Sequence, residues 1–422
     1  MRAQWMWLGA SLVLVAELIG CGPVLAQSIS RHDDPLLGAT LEGLRAAGRQ
    51  LSPVLRAAAL DTSAASAKAG GADALDDPTI SDSYQYYKDP GVFSAHTVMV
   101  SQSFPLWGKR SLRRQAALAD VDAARGRERA AQDATDEKIK VAYAQYYLVD
   151  QDIAVNREIG ALARRARAAT NARYGQGGGD QIGVILALEE ETAARAEAIR
   201  LTGEKDAARA RLNVLVGRPA DAPLADPVRA RPVPVAEPPL AELVARARSA
   251  NPTLSAGDAE IAAARSRSTL AGKAWYPDIT VGGGPLIQTN NRPVGFAATF
   301  GFNIPVPWER EAAGQREAEA QLGASQQRYG ASLLEIEGAL GEAIAKLRAA
   351  RAKEALLRRE SLPQARAGFQ ATLAAYGQGK GELATAITAQ RQIHDVNLRL
   401  LQVQLDKQVE LAAIERLIGG DL

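Results

Sequence analysis

Cysteine is almost missing from this chain: there is one, Cys21, in 422 residues. No intramolecular disulfide can form, so the staples of small secreted folds are excluded. Histidine is nearly as scarce. His32, His96 and His394 are far apart and fall in different predicted elements, so neither a three-histidine site nor any other metal site is expected. Aromatic residues make up only 5%, too few for a compact mixed core. Excess charge is absent too. Fifty basic against 48 acidic residues leave +2, which predicts no nucleic-acid surface and no polybasic membrane patch. After residue 26 no run approaches the roughly 18 apolar residues of a membrane-crossing helix. Phosphate loops, paired-cysteine motifs and catalytic triads are also missing. Gly177-Gly178-Gly179 lacks the preceding strand and the Lys-Ser/Thr partner of a phosphate cradle. An enzyme has no constellation to support it, and no cofactor is expected.

What is present is the composition of long helices: Ala, Arg, Glu, Leu and Gln dominate, and long stretches contain no proline. The first 26 residues differ. Arg2 precedes the apolar run Trp5 to Ala16, too short to span a membrane but suited to a signal peptide. Two exits compete. Val24-Leu25-Ala26 fits small-residue cleavage before Gln27. Leu18-Ile19-Gly20-Cys21 resembles a lipoprotein box, with Glu17 unfavourably placed before it, and cleavage there would make Cys21 a lipidated N-terminus. By either exit the mature protein leaves the cytoplasm.

The rest of the chain is written twice. Pro53 and Pro252 lie 199 apart, as do Pro78 and Pro277. Phe104-Pro105-Leu106-Trp107-Gly108-Lys109-Arg110 answers Ile304-Pro305-Val306-Pro307-Trp308-Glu309-Arg310, with Pro105 and Pro305 200 apart. Tyr174-Gly175-Gln176-Gly177-Gly178-Gly179-Asp180 answers Tyr376-Gly377-Gln378-Gly379-Lys380-Gly381-Glu382 at 202, and Leu215 and Gly217 keep that offset to Leu417 and Gly419. An ordered series at nearly fixed spacing is an internal repeat. The first unit covers 27–217, with a strand pair at 79–104 and a long helical hairpin at 107–217. The second covers 240–419, with strands at 278–304 and a hairpin at 308–418. A linker at 218–239 carries seven prolines, which interrupt helix.

The strand runs, Thr79–Tyr87 with Val92–Phe104 and Asp278–Gln288 with Val294–Ile304, are long enough to cross a bilayer tilted. Turn chemistry joins them at Lys88-Asp89-Pro90-Gly91 and Asn290-Asn291-Arg292-Pro293. Four strands cannot close a barrel, and an open edge in lipid leaves backbone groups unpaired. Either the strands form a soluble sheet or several chains pool them. From Trp107 to Arg173 nothing breaks a helix of roughly 100 Å. Glu309 to Tyr376 matches it, with a kink expected at Pro363. Ile139, Ala142, Tyr146, Val149 and Ile153, like Ile393, Val396, Leu400 and Val403, form heptad-like seams for lateral packing.

In these features the chain resembles the outer-membrane factor family of TolC-like efflux proteins. The resemblance covers the whole mature chain. It rests on the duplication, the junction Phe104 to Arg110, the Asn251-Pro252-Thr253-Leu254 helix opening, Tyr276-Pro277-Asp278 before a strand, and the two Tyr-x-x-Gly turns. It implies a mainly α protein with a membrane β-barrel. A homotrimer pools four strands per chain into twelve, and the helices form a hollow cylinder across the periplasm. Pro105, Pro305 and Pro307 would turn strand into helix. Trp107, Gly108 and Trp308 mark that junction at the edge of the outer-membrane lipid, although corner packing would equally place the tryptophans there. Tyr174, Gly177, Asp180, Tyr376, Gly379 and Glu382 would form the tip that docks a periplasmic adaptor, coupled to an inner-membrane pump of the RND type. The chain departs from the family at one place. Gly183, Leu186, Thr385 and Thr388 stand where relatives often place an acidic ring. Asp180 and Glu382 could supply one, or simply complement the helix dipole. The short length and Gly108-Lys109-Arg110 resemble the heavy-metal branch. A periplasmic adaptor is the rival class, but it needs only one long hairpin.

Overall fold

The computed structural model describes residues 37–86, 94–177, 181–234, 238–288, 293–304 and 309–422. Cys21 and the leader, Asp180, Pro305, Pro307, Trp308 and the two strand-connecting turns, apart from Pro293, lie outside the described residues. The first copy runs α1 (Leu41–Leu51), α2 (Pro53–Gly71), β1 (Thr79–Gln85), β2 (Ala95–Phe104), α3 (Lys109–Gly175) and α4 (Gln181–Leu215). The second repeats that order as α5 (Leu240–Ala250), α6 (Pro252–Gly272), β3 (Ile279–Gln288), β4 (Gly295–Phe302), α7 (Glu309–Leu356), α8 (Leu362–Gly377) and α9 (Leu383–Ile418).

Local chemistry explains where these helices start and stop. Pro53 and Pro252 occupy the first turn of α2 and α6, where a missing N–H costs nothing. Asn251 caps α6: its Oδ1 accepts from the Thr253 and Leu254 amides at 2.8 and 3.2 Å. Its Nδ2 donates to the Leu417 carbonyl at 2.8 Å, so one side chain both opens α6 and ties down the end of α9. Gly217 and Gly419 follow α4 and α9 at φ +80° and +71°. A Cβ on Gly217 would lie 2.6 Å from the Leu51 carbonyl oxygen, and one on Gly419 2.4 Å from that of Ala250. Each return helix thus seats its terminal glycine against the end of the short opening helix of its own copy. Only glycine fits both the dihedral and the space.

α3 spans 67 residues, roughly 100 Å at 1.5 Å per residue. It packs against α2, α4, α6 and α9, while α7 packs against α6 and α9. Leu44, Ile139, Tyr146, Leu212 and Val216 form one buried cluster, and Leu243, Leu254, Leu340, Ile414 and Ile418 its counterpart in the second copy. Each such side chain contributes about 1.5–3 kcal/mol on burial. In the first seam Ile139, Ala142 and Tyr146 are buried, whereas Val149 and Ile153 are half-buried. All four residues of the second seam are buried with Leu357 and Phe369.

The expected kink at Pro363 takes the form of a π-turn at Leu357–Ser361 between α7 and α8. The wider turn relieves the proline, which has no N–H to give to the preceding turn. It also accounts for part of the repeat offset, which grows from 200 at Pro305 to 202 at Tyr376. A π-turn is how a helix absorbs an extra residue.

The strands form one antiparallel sheet in the order β1-β2-β3-β4. β2 and β3 join the two copies, with Phe104 opposite Ile279 and His96 opposite Ile287. The pairing lapses at Val98 and Met99, opposite Gly284 and Pro285, where proline cannot donate. A Cβ on Gly284 would lie 1.9 Å from the Val98 carbonyl oxygen. β1 and β4 are free edges among the described residues.

Candidate functional site

The pairing register sorts the sheet into two chemically opposite faces. Ile80, Tyr84, Val98, Val100, Phe104, Ile279, Val281, Ile287, Phe296, Phe300 and Phe302 share one face. The other carries Thr79, Ser81, Ser83, Thr97, Ser101, Ser103, Thr280, Gly282, Thr299 and Gly301, with Met99 and Leu286 as its large apolar exceptions. A sheet in water covers its apolar face. Here nothing covers it: Phe296, Phe300 and Phe302 are 77%, 81% and 68% exposed among the described residues. β2 and β3 are 10 residues each, about 25 Å of height at a barrel tilt near 40°, which matches the apolar band of a membrane barrel. Asp82, His96 and Gln102 are the polar exceptions, Gln102 donating to the Asp76 carbonyl at 2.7 Å at the helix end of β2, opposite Val281. Asp82 and His96 form a pair, 3.8 Å apart beside Tyr84, at the end of the strands remote from the helices. Among the described residues no helix is long and apolar enough to cross a membrane.

At the other end of the strands the chain turns into α3 through a strained corner. Pro105 is buried. Trp107 has φ +63° and Gly108 φ +75°, costly for an L residue such as Trp107. The second copy holds this corner in place. Trp107 Nε1 donates to the Pro277 carbonyl at 2.7 Å, and its half-exposed ring lies 5.3 Å from that of Tyr276. Lys273 Nζ donates to the Trp107 carbonyl at 2.7 Å. Asp278 is the hub: it accepts from the Leu106 amide at 3.1 Å and from Lys109 Nζ at 2.9 Å, while its own amide donates to Asn303 Oδ1 at 2.5 Å. Lys109 also reaches the Tyr276 carbonyl at 2.8 Å. Lys109 and Asp278 both belong to motifs visible in the sequence. Their pairing across 169 residues left no signal there.

The two helix-hairpin turns share a shape but not an environment. Gly177 and Gly379 have φ +74° and +76°. Tyr174 is 52% exposed, whereas Tyr376 is 7% exposed. Tyr376 donates its hydroxyl to Thr170 at 3.2 Å and accepts the Arg173 guanidinium at its carbonyl at 2.7 Å, with that guanidinium 4.7 Å above its ring. The second turn is therefore fastened to α3, and the first presents its tyrosine outward. Glu382 lies at the N-terminus of α9 in extended conformation without a capping hydrogen bond. Gly183 is buried, Leu186 half-buried, and Thr385 and Thr388 exposed. An ion pair at the surface, Arg391 with Glu190, links α9 to α4.

A buried ionic network between the copies escaped sequence reasoning. Lys140 on α3 donates to Glu415 on α9 at 2.7 Å and to Asp421 at 2.5 Å; the Lys140 and Glu415 side chains are 6% and 2% exposed. Arg231 of the linker pairs with the other oxygen of Glu415. Arg45 bridges Asp421 and Asp136 at 3.0 and 2.8 Å. Burial alone would raise the Asp421 carboxyl, but hydrogen bonds from Lys140 and Arg45 outweigh it and hold it at about 2. Charges spaced 91 to 376 residues apart carry no local pattern that could have announced them.

Comparison with known proteins agrees with this geometry. The sequence model of the family described as outer membrane efflux protein matches residues 46–218 and 243–420, once in each copy. A cobalt-zinc-cadmium resistance protein, CzcC of Cupriavidus metallidurans, is 25% identical over 338 residues, covering 76% of this chain and 77% of that protein. Among solved structures, the outer membrane protein VceC of Vibrio cholerae superposes with a TM-score of 0.76 at 17% identity, covering 90% of this chain and 96% of its own. CusC, described for its transmembrane channel formation, gives 0.77 at 16%, covering 90% and 92%. The rival expectation of a periplasmic adaptor finds no support in these matches. Two copies of one unit, a sheet that turns its apolar face outward, and a family match across both copies lead to one conclusion: the chain belongs to the outer membrane efflux protein family, whose members are channel proteins rather than a class of enzymes.

Proposed function

We propose that the chain is one protomer of a homotrimeric duct that carries cargo from an inner-membrane pump, through a periplasmic adaptor, to the cell exterior. The sheet supports this best: its apolar face is exposed and its edges, β1 and β4, are open. Pairing β4 of one copy with β1 of the next closes twelve strands, satisfies every edge in lipid and leaves the Ser/Thr/Gly face around the lumen. The helices then extend into the periplasm, and Tyr174, Gly177, Asp180, Tyr376, Gly379 and Glu382 form the adaptor-docking tip. Pro105, Trp107 and Gly108, with Pro305, Pro307 and Trp308, form the strand–helix junction at the lipid edge. The pump is of the RND type and the cargo includes divalent metal cations, a reading supported by the likeness to a protein named for cobalt, zinc and cadmium resistance.

Fractionation tests the duct. Detergent-stable trimers in the outer membrane are expected, and a soluble periplasmic monomer would overturn it. Deleting the protein should sensitise cells to cobalt, zinc or cadmium more than to hydrophobic toxicants; the reverse order removes the metal assignment. Asp180→Asn with Glu382→Gln should lower cation selectivity if these acids ring the tip, and unchanged selectivity leaves them as helix-terminal charges. The mass of the mature N-terminus distinguishes a lipidated Cys21 from cleavage after Ala26.

A further inference from the structure

Where the linker crosses between the copies it roofs a cavity of about 370 Å³, within the size range of small-molecule sites. Tyr147 of α3 lines its floor, Glu354, Arg358, Lys407 and Gln408 its walls, and Arg231 its roof. This place is remote in sequence from both the strand wall and the hairpin turns, so the duct reading makes no use of it.

The cavity has more cations than carboxylates. Three cations line it against one carboxylate, Glu354. Glu354 is shared, accepting from Arg358 Nε at 3.1 Å and from Lys407 Nζ. That leaves both terminal nitrogens of Arg358 without an acceptor among the described residues, and Lys407 has given one of its three protons. The carboxylate paired with Arg231, Glu415, is shared as well, since Lys140 binds its second oxygen at 2.7 Å. Arg231 Nη1 is buried with no hydrogen-bond partner among the described residues. Arg358 is 55% exposed and meets solvent at the mouth, whereas Arg231 and Lys407 are 13% and 15% exposed. A buried donor such as Arg231 Nη1 normally finds an acceptor, and three cations beside one carboxylate favour an anion. The site is also built to stay in place. Gln408 Nε2 donates to the Arg231 carbonyl at 2.8 Å, pinning the roof, and Arg358 is carried by the π-turn, a local form often found at functional sites.

We propose that this cavity binds a small oxyanion, a carboxylate or a phosphate, through the Arg358 guanidinium and Lys407 ammonium under the Arg231 roof. A guanidinium fork takes two oxygens of either group in parallel, which makes it selective for oxyanions over halide. The contributing residues come from the linker, α3, α7, the π-turn and α9. An occupant therefore clamps the linker to the arms of both copies and stabilises the folded chain by mass action.

Thermal melting of the full-length detergent-solubilised protein with inorganic phosphate, succinate or chloride at matched ionic strength tests this. A saturable rise in midpoint is expected with phosphate or succinate and not with chloride, and the stronger of the two identifies the oxyanion class. Arg358→Gln, which changes a half-exposed side chain outside the buried network, should weaken the response at least tenfold in concentration. Lys407→Gln should do the same. Equal effects of chloride, no saturable response, or saturation unchanged in Arg358→Gln would each overturn the site.

Discussion

Replacing Glu415 by leucine removes the carboxylate that Lys140 and Arg231 share at 2% side-chain exposure. Lys140 keeps Asp421 at 2.5 Å. Arg231 keeps no charged partner among the described residues, where its Nη1 already lacks a hydrogen-bond acceptor. Leaving a buried charge uncompensated costs about 3–5 kcal/mol, which is two to nearly four powers of ten in the folded-to-unfolded ratio. The double variant Glu415→Leu with Arg231→Met removes both charges and should return to within about 1 kcal/mol of the wild type, because apolar replacement of a buried pair is close to neutral. Susceptibility to protease in detergent, measured under slow cleavage so that it follows the population of opened chains, reads the difference without requiring reversible unfolding. If the single variant is as resistant as the wild type, or the double variant no better than the single, the network does not fasten the copies as its geometry implies.

Other consequences are open to test. Phe300→Arg and Thr299→Arg sit side by side on opposite faces of β4. The first should cost about 2–4 kcal/mol and abolish stable outer-membrane assembly, while the second should assemble and alter single-channel conductance. Gly217→Ala and Gly419→Ala should each destabilise by about 1–2 kcal/mol from the left-handed backbone alone, with more from the clash at 2.6 and 2.4 Å. Their effects should add in melting experiments, since they act in different copies. Asp421, held at about 2, contributes stability that is complete above its ordinary value of 3.8 and lost as pH falls through that window. With the side chain 55% exposed the effect is under about 1 kcal/mol after screening, and Asp421→Asn should flatten that part of the acid-stability profile.

Much of the fold was legible in the sequence because its signals are local or periodic. Proline spacing exposed the duplication, and the absence of helix breakers gave α3 to within two residues at each end. Pro363 announced a disturbance, but whether a helix answers with a bend or a π-turn depends on the extra residue to be absorbed and on the packing against α9. The shape of the two helix-hairpin turns was half legible. The tyrosines and glycines match in sequence, yet Tyr376 is buried under Arg173 while Tyr174 is open. That difference arises between elements more than 200 residues apart. The pairing of Lys109 with Asp278 and the assembly of Lys140, Glu415 and Asp421 were invisible for the same reason: long-range ion pairs have no period.

The π-turn gives the two copies different mechanics. In the first, one uninterrupted rod, α3, connects the strands to the hairpin turn, starting from the strained corner of Trp107 and Gly108. The second arm is interrupted by the π-turn, a joint at which its hydrogen-bond ladder changes. Beyond that joint α8 has 16 residues, a lever of about 24 Å, so a bend of roughly 10° there would displace its end by about 4 Å. The same displacement at the end of α3 needs a swing of only about 2–3° over its roughly 100 Å, but the whole length of the bundle must move with it. One arm behaves as a strut and its copy as a jointed finger, so a duplicated gene has yielded two parts with different stiffness.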